Sequence, residues 1–490
     1  MNFHLSCDKM PVNQEELNAK LKYYYPEYIV NKKIVNIQDI RQVPKFVSEH
    51  LLTKIAEEGE EKIGEKIGKI IELITNFYPE AKDRDKILDK IIIRKQAHKI
   101  IDEIKVEIDE KHEIRKAIIP SLNIRDAMIL DSIVDENPEL LSSGIWGLAS
   151  LRPSDPITDE FGNKLTLPIL IDDFKPFHIS NIDIDEFLEK RKNFTTEEWI
   201  DVLINTIGLN PEVYTERQKL ILISRFIPLV ENNVNLLELG PRATGKTYFY
   251  RNISFYTRII SGGLITPAQL FFNIARRTIG EIGVKDCIVF DEIAKIKFGN
   301  VDEMMGKLKD YMESAHFERG PKKATSLCSL VFMGNLDIKP TESGYVPVED
   351  INYSLPDFMR GDTAFLDRIN AVIPGWEIIK IKKTDIHLSK NFGFSVDFFS
   401  EILHDLRKKD FTSFLRDKVE LENVTIRDEK SIFRVASGLA KILFPDKRID
   451  NKDFKIIMDI AVEYRQKIAD LLRRMAPEEF EKKKIEYRIK

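Results

Sequence analysis

The 490-residue chain is too long for one ordinary domain and its length suggests about two to four, while a hydrophobic content of 43% is ample for sizeable cores. Its formal net charge of −5 argues against a protein that coats nucleic acid, although a local basic channel is compatible with it. Three widely spaced cysteines, without histidines at ligand spacing, argue against a zinc site or a disulfide framework. Because the start lacks a signal-peptide core and no run of about 18 apolar residues occurs, we expect a cytoplasmic protein without a membrane span.

Two regions are predicted in the first part of the chain. Residues 1–97 have a mostly helical pattern, since isoleucines recur on one helical face in EKIGEKIGKIIELITNFYPE. The period then changes, because Ile104, Val106 and Ile108 alternate with charged residues as in a strand. Together with the strand-like stretches SGIWGLASLRP and NKLTLPILIDDFKPF, this predicts a small β domain over residues 98–180, which could close into an OB-like barrel.

Three further regions follow. Residues 181–233 are predicted as a helical linker, with Thr215 as the N-cap of its clearest helix. Over residues 234–382 short apolar strands alternate with helices, which is typical of a parallel α/β sheet. Residues 383–490 are again helical in pattern and are predicted as a C-terminal lid, with EEFEKKKIEYRIK as a charged helix end or tail. The predicted fold class is therefore multidomain α/β.

The stretch NLLELGPRATGKTYFYRNI carries the strongest functional signal. It matches G-x-x-x-x-G-K-[ST] and lies between an apolar strand and a helix-compatible segment. The glycines let the backbone turn so that its N–H groups point at phosphate oxygens. Lys246 is expected to neutralise the β and γ phosphates of ATP, and the Thr247 hydroxyl to bind Mg²⁺. The residues predicted to bind the nucleotide here are Gly240, Pro241, Arg242, Ala243, Thr244, Gly245, Lys246, Thr247 and Tyr248.

Two later strands are expected to complete this site. The apolar strand in KDCIVFDEIAKI ends in Asp291 and Glu292. Asp291 is expected to hold Mg²⁺, and Glu292 to polarise the attacking water as the catalytic base. The strand in SLCSLVFMGNLDI ends in Asn335, which is expected to sense the γ-phosphate and orient the water. The alternatives are acidic capping of a helix and an ordinary turn asparagine.

An arginine is expected to act on the γ-phosphate from a neighbouring subunit. Phosphoryl transfer builds negative charge on that group, and a guanidinium from outside the subunit commonly stabilises it. In FMRGDTAFLDRINAVIPGW, Arg368 is the first candidate and Arg360 the second. The alternative is an ion pair within the chain, with Asp362 or Asp367.

The order of these motifs resembles that of AAA+ ATPases, which would give a P-loop core with a helical lid. The wording is similar to one family, BrxL of the BREX phage-defence systems, in the blocks LLELGPRATGKTYFYRNIS, SGGLITPAQLFFNIARRTIG, IVFDEIAKI, DTAFLDRINAVIPGWEI and GIWGLASLRP. The resemblance runs from about residue 15 to 445. It implies an ATP-driven, MCM-like homo-oligomeric ring, a hexamer or two stacked rings forming a dodecamer. Such a ring would translocate double-stranded DNA through a central channel, with other BREX components as partners.

One departure from the family concerns the C-terminal part. Lon-like members continue into a domain with a Ser/Lys dyad, whereas residues 383–490 contain no G-x-S-x-G elbow and resemble only a lid. We therefore expect a short form without protease activity. The lid should supply a second sensor for the nucleotide, and Lys430 or Arg434 in RDEKSIFRVASGLAKILFP could do so. Both could equally be surface charges.

The stretch HFERGPKKATSLCSL lies between the acidic strand end and the strand that ends in Asn335. Its Gly-Pro tip, surrounded by Arg319, Lys322 and Lys323, predicts a hairpin. In MCM-like rings a hairpin at this position projects into the channel, where cations would make the sequence-independent phosphate contacts that suit translocation. A solvated basic loop is the alternative. A second channel candidate is the segment 261–273, whose glycines could make a tight turn with an apolar tip, and the β domain could form a collar around DNA.

The sequence therefore predicts an AAA+ ATPase that moves duplex DNA in BREX defence. One rival is an AAA+ protein unfoldase or remodeller of Lon-like type without its own protease domain. Another is a DNA-binding scaffold whose ATP site only drives assembly. Unfoldases usually carry an aromatic-apolar pore loop, whereas the best hairpin here is basic.

Overall fold

The computed structural model describes residues 11–35, 43–56, 63–142, 144–158, 164–165, 167–177, 182–275, 277–342, 344–382 and 384–490. Within them the α-helices are α1 (Gln14–Tyr24), α2 (Lys32–Val35), α3 (Lys45–Ala56), α4 (Ile63–Phe77), α5 (Arg84–Leu88), α6 (Asp131–Glu136), α7 (Ile184–Arg191), α8 (Thr196–Ile207), α9 (Glu216–Ser224), α10 (Ile227–Val230), α11 (Lys246–Asn252), α12 (Pro267–Leu270), α13 (Val301–Ser314), α14 (Thr363–Asp367), α15 (Thr384–His387), α16 (Val396–Leu406), α17 (Thr412–Arg416), α18 (Ile426–Leu443) and α19 (Asn451–Met475).

The strands in the same ranges are β1 (Ile29–Asn31), β2 (His98–Asp109), β3 (Ile114–Ile119), β4 (Ile124–Ile129), β5 (Ile145–Pro153), β6 (Ile157–Thr158), β7 (Lys164–Leu165), β8 (Ile169–Pro176), β9 (Asn235–Gly240), β10 (Thr257–Ile265), β11 (Phe272–Asn273), β12 (Thr278–Ile279), β13 (Cys287–Phe298), β14 (His316–Arg319), β15 (Lys322–Thr325), β16 (Ser329–Asn335), β17 (Ile338–Thr341), β18 (Gly344–Pro347), β19 (Ala371–Pro374), β20 (Phe392–Phe394), β21 (Val419–Glu422) and β22 (Glu486–Ile489).

The chain divides into two compact units. One unit contains the chain up to Lys33 together with residues 182–394 and 399–490, and the other contains residues 34–181 and 395–398. This division differs from the predicted N-terminal helical region 1–97, which is shared between both units. The physical reason is long-range pairing: β1 runs antiparallel to β20 in the first unit. Periodicity along the sequence carries no information about such a partner.

The larger unit is built on a five-stranded sheet in the order β10-β13-β16-β9-β19. Every pairing in this sheet is parallel, and helices supply the connections, as predicted from the alternating pattern. β9, β16 and β19 are apolar and buried almost along their whole length, as is the first part of β13, whereas the edge strand β10 is largely half-buried or exposed. Parallel strands place their carboxyl ends at one edge, so polar residues that follow different strands meet there.

The helices of this unit begin with the caps that the sequence indicates. Thr215 caps α9: its side chain accepts from the backbone N–H of Gln218, and the Gln218 side chain accepts in return. The predicted N-cap is thus confirmed. The C-terminal stretch differs from its prediction as a helix end or tail, because β22 forms a two-stranded ribbon with β21. No helix in the described part of the chain is both long and apolar enough to cross a membrane.

The smaller unit contains a closed five-stranded barrel in the order β2-β3-β4-β8-β5. Its pairs are antiparallel except for β4 and β8. The strands lie in the region where the pattern predicts them, and the barrel, whose closure the sequence left open, is closed. Gly147 on β5 is required by close approach, since a Cβ there would lie 2.6 Å from the Phe174 ring. The neighbouring Trp146 packs against Phe46 and Tyr78, with ring centroids 5.7 and 6.5 Å away, and so contributes to packing.

Candidate nucleotide-binding site

The carboxyl edge of the five-stranded sheet gathers the residues that the motifs singled out. Gly240 at the end of β9 lies opposite Asn335 at the end of β16. Asp291 on β13 lies opposite Ser261 on β10. The parallel register therefore brings the phosphate loop, the first acidic residue and the asparagine to one place, as the sequence predicts.

The phosphate loop between β9 and α11 has two residues with left-handed backbone. Gly245 has φ +76° and Ala243 has φ +64°, a conformation that costs a residue with a Cβ some strain. The loop is held from outside, because the Ile381 N–H donates to the Ala243 carbonyl at 2.8 Å. The backbone passes tightly at its entrance, since a Cβ on Gly240 would lie 2.5 Å from the carbonyl carbon of Gly375.

Lys246 lies inside this loop with only 7% of its surface exposed. Its ammonium donates to the carbonyls of Gly240 and Pro241, both at 2.9 Å, and to Asn335 Oδ1 at 3.4 Å. Burial lowers the pKa of Lys246 to about 8, since a charged amine is less favourable away from water. A phosphate oxygen could replace these carbonyls and stabilise the protonated form.

The residues predicted to hold Mg²⁺ are in contact. The Thr247 hydroxyl donates to Asp291 Oδ2 at 2.8 Å, and the Ser261 hydroxyl lies 3.5 Å from the same oxygen. No group of three or more His, Cys, Asp or Glu residues gathers to hold a metal in the described ranges. One carboxylate beside one hydroxyl suits Mg²⁺, which keeps several waters and also takes phosphate oxygens. The side chains present therefore fit this ion.

Glu292 occupies a bulge in β13, just beyond the part of this strand that pairs with β16. Pairing with β10 shifts from Ser261–Asp291 to Gly263–Ile296, so the residues after Asp291 loop out, and Glu292 has φ +50°. Its carboxylate oxygens lie 3.0 and 3.1 Å from the Lys295 ammonium. Both side chains face solvent, where an ion pair holds its partners only weakly. The carboxylate is therefore free to turn towards a water molecule at the sheet edge.

The segment 261–273 does not form the tight turn that its glycines suggested. Gly262 and Gly263 both have positive φ, but they form the bulged part of the continuous strand β10. Leu264 is 62% exposed, whereas Ile265 is buried at 3%. Alternation along a strand explains the difference, because neighbouring side chains point to opposite faces.

The two candidate arginines lie away from this loop. Arg368 follows α14 and precedes β19, and its carbonyl accepts a hydrogen bond from Asn235 at the start of β9. The two ends of β9 are about 20 Å apart at the usual rise of a strand. Arg368 therefore lies at the amino edge of the sheet and does not reach the phosphate loop of its own chain. Arg360 donates to the carbonyls of Leu355 and Tyr353 at 2.9 and 3.2 Å.

The ion pair of Arg368 differs from both alternatives considered in the sequence. Its Nε lies 3.4 Å from Glu313 Oε2, and it is neither Asp362 nor Asp367 that pairs with it. Asp362 binds Lys309 at 2.8 Å, and Asp367 binds Arg465 at 2.6 Å. These carboxylates are occupied by lid and helix residues that lie far along the chain, so proximity in sequence was misleading.

The two proposed second sensors also lie at the amino edge. Arg434 donates to the Asn233 carbonyl at 2.7 Å, and Lys430 donates to the Glu313 carbonyl at 3.1 Å. Asn233 precedes β9, so both side chains are at the end of the strand opposite the loop. Within one chain the structure does not bring either residue to the nucleotide site, so their role as second sensor stays a prediction. The helical pattern of this stretch carries no information on the sheet edge that α18 covers.

One pair of residues next to the loop was missed by the sequence analysis. Arg225 and Glu238 are fully buried, and their closest atoms are 2.7 Å apart. The Arg225 guanidinium also donates to the Thr244 carbonyl, from two nitrogens at 3.2 Å each. The signal was present in NLLELG, where a single acidic residue interrupts an apolar strand.

The basic stretch forms the predicted hairpin. β14 and β15 pair with Arg319 opposite Lys322, joined by a Gly-Pro turn. Lys323 is exposed and lies 2.7 Å from Glu318, a solvent-exposed ion pair. Arg319 is mostly covered, because its guanidinium donates to the Phe272 carbonyl and lies 3.5 Å from Glu303. Lys322 and Lys323 thus lie at the tip of the hairpin, while Arg319 holds the hairpin to neighbouring residues.

The fold and the site are those expected of an ATPase domain, and comparison with known families agrees. A family model described as "Lon-like protease BrxL-like, ATPase domain" matches residues 169–486, and one described as "BREX system Lon protease-like protein BrxL N-terminal" matches residues 23–152. The chain therefore belongs to the BrxL family.

Two relatives carry the name "Lon-like protease BrxL". The one from Escherichia coli O9:H4 (strain HS) is 33% identical over 469 residues, and the one from Bacillus cereus (strain H3081.97) is 32% identical over 471 residues. Each match covers 95% of this chain but only 66% and 68% of the relatives, respectively. The chain thus spans about two thirds of the length of the curated relatives it matches.

The buried ammonium predicts a pH dependence of nucleotide binding. Below pH about 8 Lys246 is protonated, and above it the amine loses the charge that attracts phosphate, so ATP affinity should fall by up to about tenfold per pH unit. Calorimetric titration with ATP and Mg²⁺ from pH 7 to 9.5 measures this. Lys246→Met should bind weakly with a flat profile, and a flat profile in the wild-type protein would contradict the prediction.

The position of Glu292 predicts a separation of binding from turnover. Glu292→Gln should retain ATP but hydrolyse it about 10²- to 10⁴-fold more slowly, because the amide cannot accept the proton of the attacking water. Phosphate release measures turnover, and filter retention of ATP measures binding. Lys295→Met is the matched control and should change turnover only a few-fold. Wild-type hydrolysis by the Gln variant would remove Glu292 as the base.

Proposed function

We propose that this chain is an AAA+ ATPase that uses ATP hydrolysis to translocate double-stranded DNA through a homo-oligomeric ring in BREX-type anti-phage defence. The observation that carries the proposal is the place of the basic hairpin β14–β15. It is inserted between the strand that ends in Asp291 and the strand that ends in Asn335. The cationic hairpin is thereby connected to the hydrolysis site through the strands that precede and follow it. The proposal includes no protease step.

The base of the hairpin is packed firmly enough to transmit a displacement. Phe317 on β14 is buried, with its ring centroid 5.5 Å from Phe271 and 6.4 Å from Tyr311. The Tyr311 hydroxyl donates to the Cys328 carbonyl at 2.7 Å, just before β16 begins. A shift of β16 that accompanies loss of the γ-phosphate would therefore move the hairpin as a rigid piece.

The exposed tip suits a sequence-independent ligand. Lys322 and Lys323 present ammonium groups, and a DNA phosphate would compete with the solvent-exposed Glu318 for Lys323. Phosphate contacts carry no base information, so a hairpin that uses them can step along any duplex. The tip rests on the neighbouring segment, since a Cβ on Gly320 would lie 3.1 Å from the Ile274 side chain. The two channel candidates thus move together.

The reaction is shared between subunits in this proposal. Bound ATP with Mg²⁺ supplies the transferable phosphoryl group and the charge that eases its departure. Lys246 holds the phosphates, Glu292 takes the proton of the attacking water, and Asn335 orients that water. Arg368 lies at the opposite edge of its own sheet, about one strand length of 20 Å from its own loop, and therefore serves the site of a neighbouring copy.

A protein remodeller remains the second candidate because of one apolar feature. Leu264 on β10 is 62% exposed, and Ile274 beside the hairpin tip is 48% exposed. Apolar residues at a channel wall would suit an unfolded polypeptide. The rate of ATP hydrolysis with and without random-sequence duplex DNA separates the two: stimulation by DNA supports the translocase, and stimulation by an unfolded protein alone supports the remodeller.

The hairpin assignment predicts a selective loss of DNA binding. Lys322→Ala together with Lys323→Ala should weaken binding to a random duplex and flatten its salt dependence by about one unit per lost phosphate contact, with basal ATPase activity retained. Fluorescence anisotropy at several salt concentrations measures both. The control Lys452→Ala with Lys455→Ala removes the same charge from α19. Equal DNA binding by hairpin variant and wild type would show that the assignment is wrong.

The position of Arg368 predicts complementation between subunits. Arg368→Ala and Lys246→Ala should each lower hydrolysis by about 10³-fold or more. When the two are mixed and reassembled, some loops that retain Lys246 meet an intact Arg368 from the other variant, so part of the activity should return. Arg360→Ala, mixed in the same way, is the control. Mixtures that stay as inactive as the single variants would rule out action across subunits.

A further inference from the structure

A buried ion pair lies directly beneath the phosphate loop. Arg225 follows α9, and Glu238 lies two residues before the end of β9; both side chains are 0% exposed. The Arg225 Nε lies 3.1 and 3.2 Å from the two carboxylate oxygens, and Nη2 lies 2.7 Å from one of them. One N–H of Nη1 and the second N–H of Nη2 both donate to the Thr244 carbonyl, with each nitrogen 3.2 Å from the oxygen.

Burying such an ion pair costs free energy of folding. Removing two charges from water costs several kcal/mol per ion, by the general order of magnitude, and an apolar pair of similar volume is often as stable or more stable. Glu238 lies on β9, an interior strand of the sheet between β16 and β19, where its neighbours are apolar. Stability of the core therefore does not explain it, and the contact with the loop carbonyl is the remaining feature.

The guanidinium is held in place from both ends of its helix. At the start of α9, Arg217 binds Glu377 at 2.9 Å and Glu463 on α19 at 2.6 Å. Near its end, the Ser224 and Tyr464 hydroxyls are 3.2 Å apart. The helix that carries Arg225 is thus fixed to α19, and the guanidinium cannot drift from the loop.

The geometry of a peptide unit determines what this contact does. In a trans peptide the C=O and the following N–H point in opposite directions, and no cis peptide is present in the described residues. A Thr244 carbonyl that points at Arg225 therefore turns the N–H of Gly245 away from Arg225. That N–H belongs to the loop whose donors are expected to bind phosphate.

We propose that Arg225 and Glu238 are positioning residues of the phosphate loop, which hold the Thr244–Gly245 peptide in the orientation that binds a nucleoside triphosphate. This inference rests on the proposed use of the loop for ATP. Glu238 neutralises and aims the guanidinium, and the guanidinium fixes the carbonyl. Neither residue touches the nucleotide.

Arg225 and Glu238 also have opposing effects on the pKa of Lys246. Burial is the main influence on the pKa of Lys246 and lowers it, while Glu238 raises this pKa and Arg225 lowers it. Removing both residues therefore disturbs Lys246 less than removing one. An effect of the double change on ATP binding then reports on the loop backbone rather than on the charge of Lys246.

The test is the paired apolar variant R225M/E238L. It should keep the fold, shown by an unchanged melting temperature, but bind ATP with Mg²⁺ at least about tenfold more weakly at pH 7, the effect of losing a charge-assisted hydrogen bond. The matched control is K219M/D201L, which removes another buried pair, 2.6 Å apart, that joins Lys219 on α9 to Asp201 on α8. It should bind ATP as the wild type does.

A second variant tests the same proposal if the double variant does not fold. R225K retains the charge opposite Glu238 but lacks the planar fork that reaches Thr244. The rise in melting temperature on adding ATP, measured against each variant's own ligand-free value, should be smaller for R225K than for K219M/D201L. An ATP affinity equal to wild type in R225M/E238L, or an equal rise in R225K, overturns the positioning role. If the wild-type protein and Lys246→Met bind ATP equally, the proposed function itself fails instead.

Discussion

The parallel pairing of β9 with β16 and β19 is the constraint on which the rest of the ATPase unit depends. It brings Gly240 beside Asn335 at one edge of the sheet and leaves Asn235 beside Arg368 at the other. Residues for holding phosphate thus collect at the carboxyl edge. Arg368 and Arg434 lie at the amino edge, about one strand length away. In the proposed mechanism Arg368 would act on the site of a neighbouring copy, and this separation within one sheet would be a geometric reason for the proposed assembly.

Much of this site could be predicted from the sequence because its signals are local. The glycine-lysine loop, the carboxylate of Asp291 and the Gly-Pro turn of the hairpin each lie within a few residues of their structural cause. The basic hairpin has the register that alternation and turn chemistry predict. The bulge at Glu292 was not predictable, since a shift of pairing between β10 and β13 depends on two segments that are far apart in the chain.

The positions that the sequence did not indicate share a physical cause. Lys430 and Arg434 lie on a helix that was expected from its pattern, but which edge of the sheet α18 covers depends on packing with other elements. The ion-pair partner of Arg368 is Glu313 on α13, which precedes β16, rather than one of the aspartates close to Arg368 in the sequence. The pair of Arg225 and Glu238 was overlooked for a different reason. An acidic residue in an apolar strand is a clear signal, but nothing in the sequence marks Arg225, which follows α9, as its partner. Side-chain networks of this kind become visible only when the fold is known.

The pairing of β1 with β20 has a consequence for how the protein is made. Asn18 and Asn391, which are hydrogen-bonded beside this pairing, are 373 residues apart in sequence. During synthesis β1 must therefore wait until residues 392–394 have left the ribosome before it finds its strand partner. Contacts of such long sequence separation form late and slowly. Until then β1 presents an unpaired strand edge, although α1 can already contact α8 through Gln14 and Lys20.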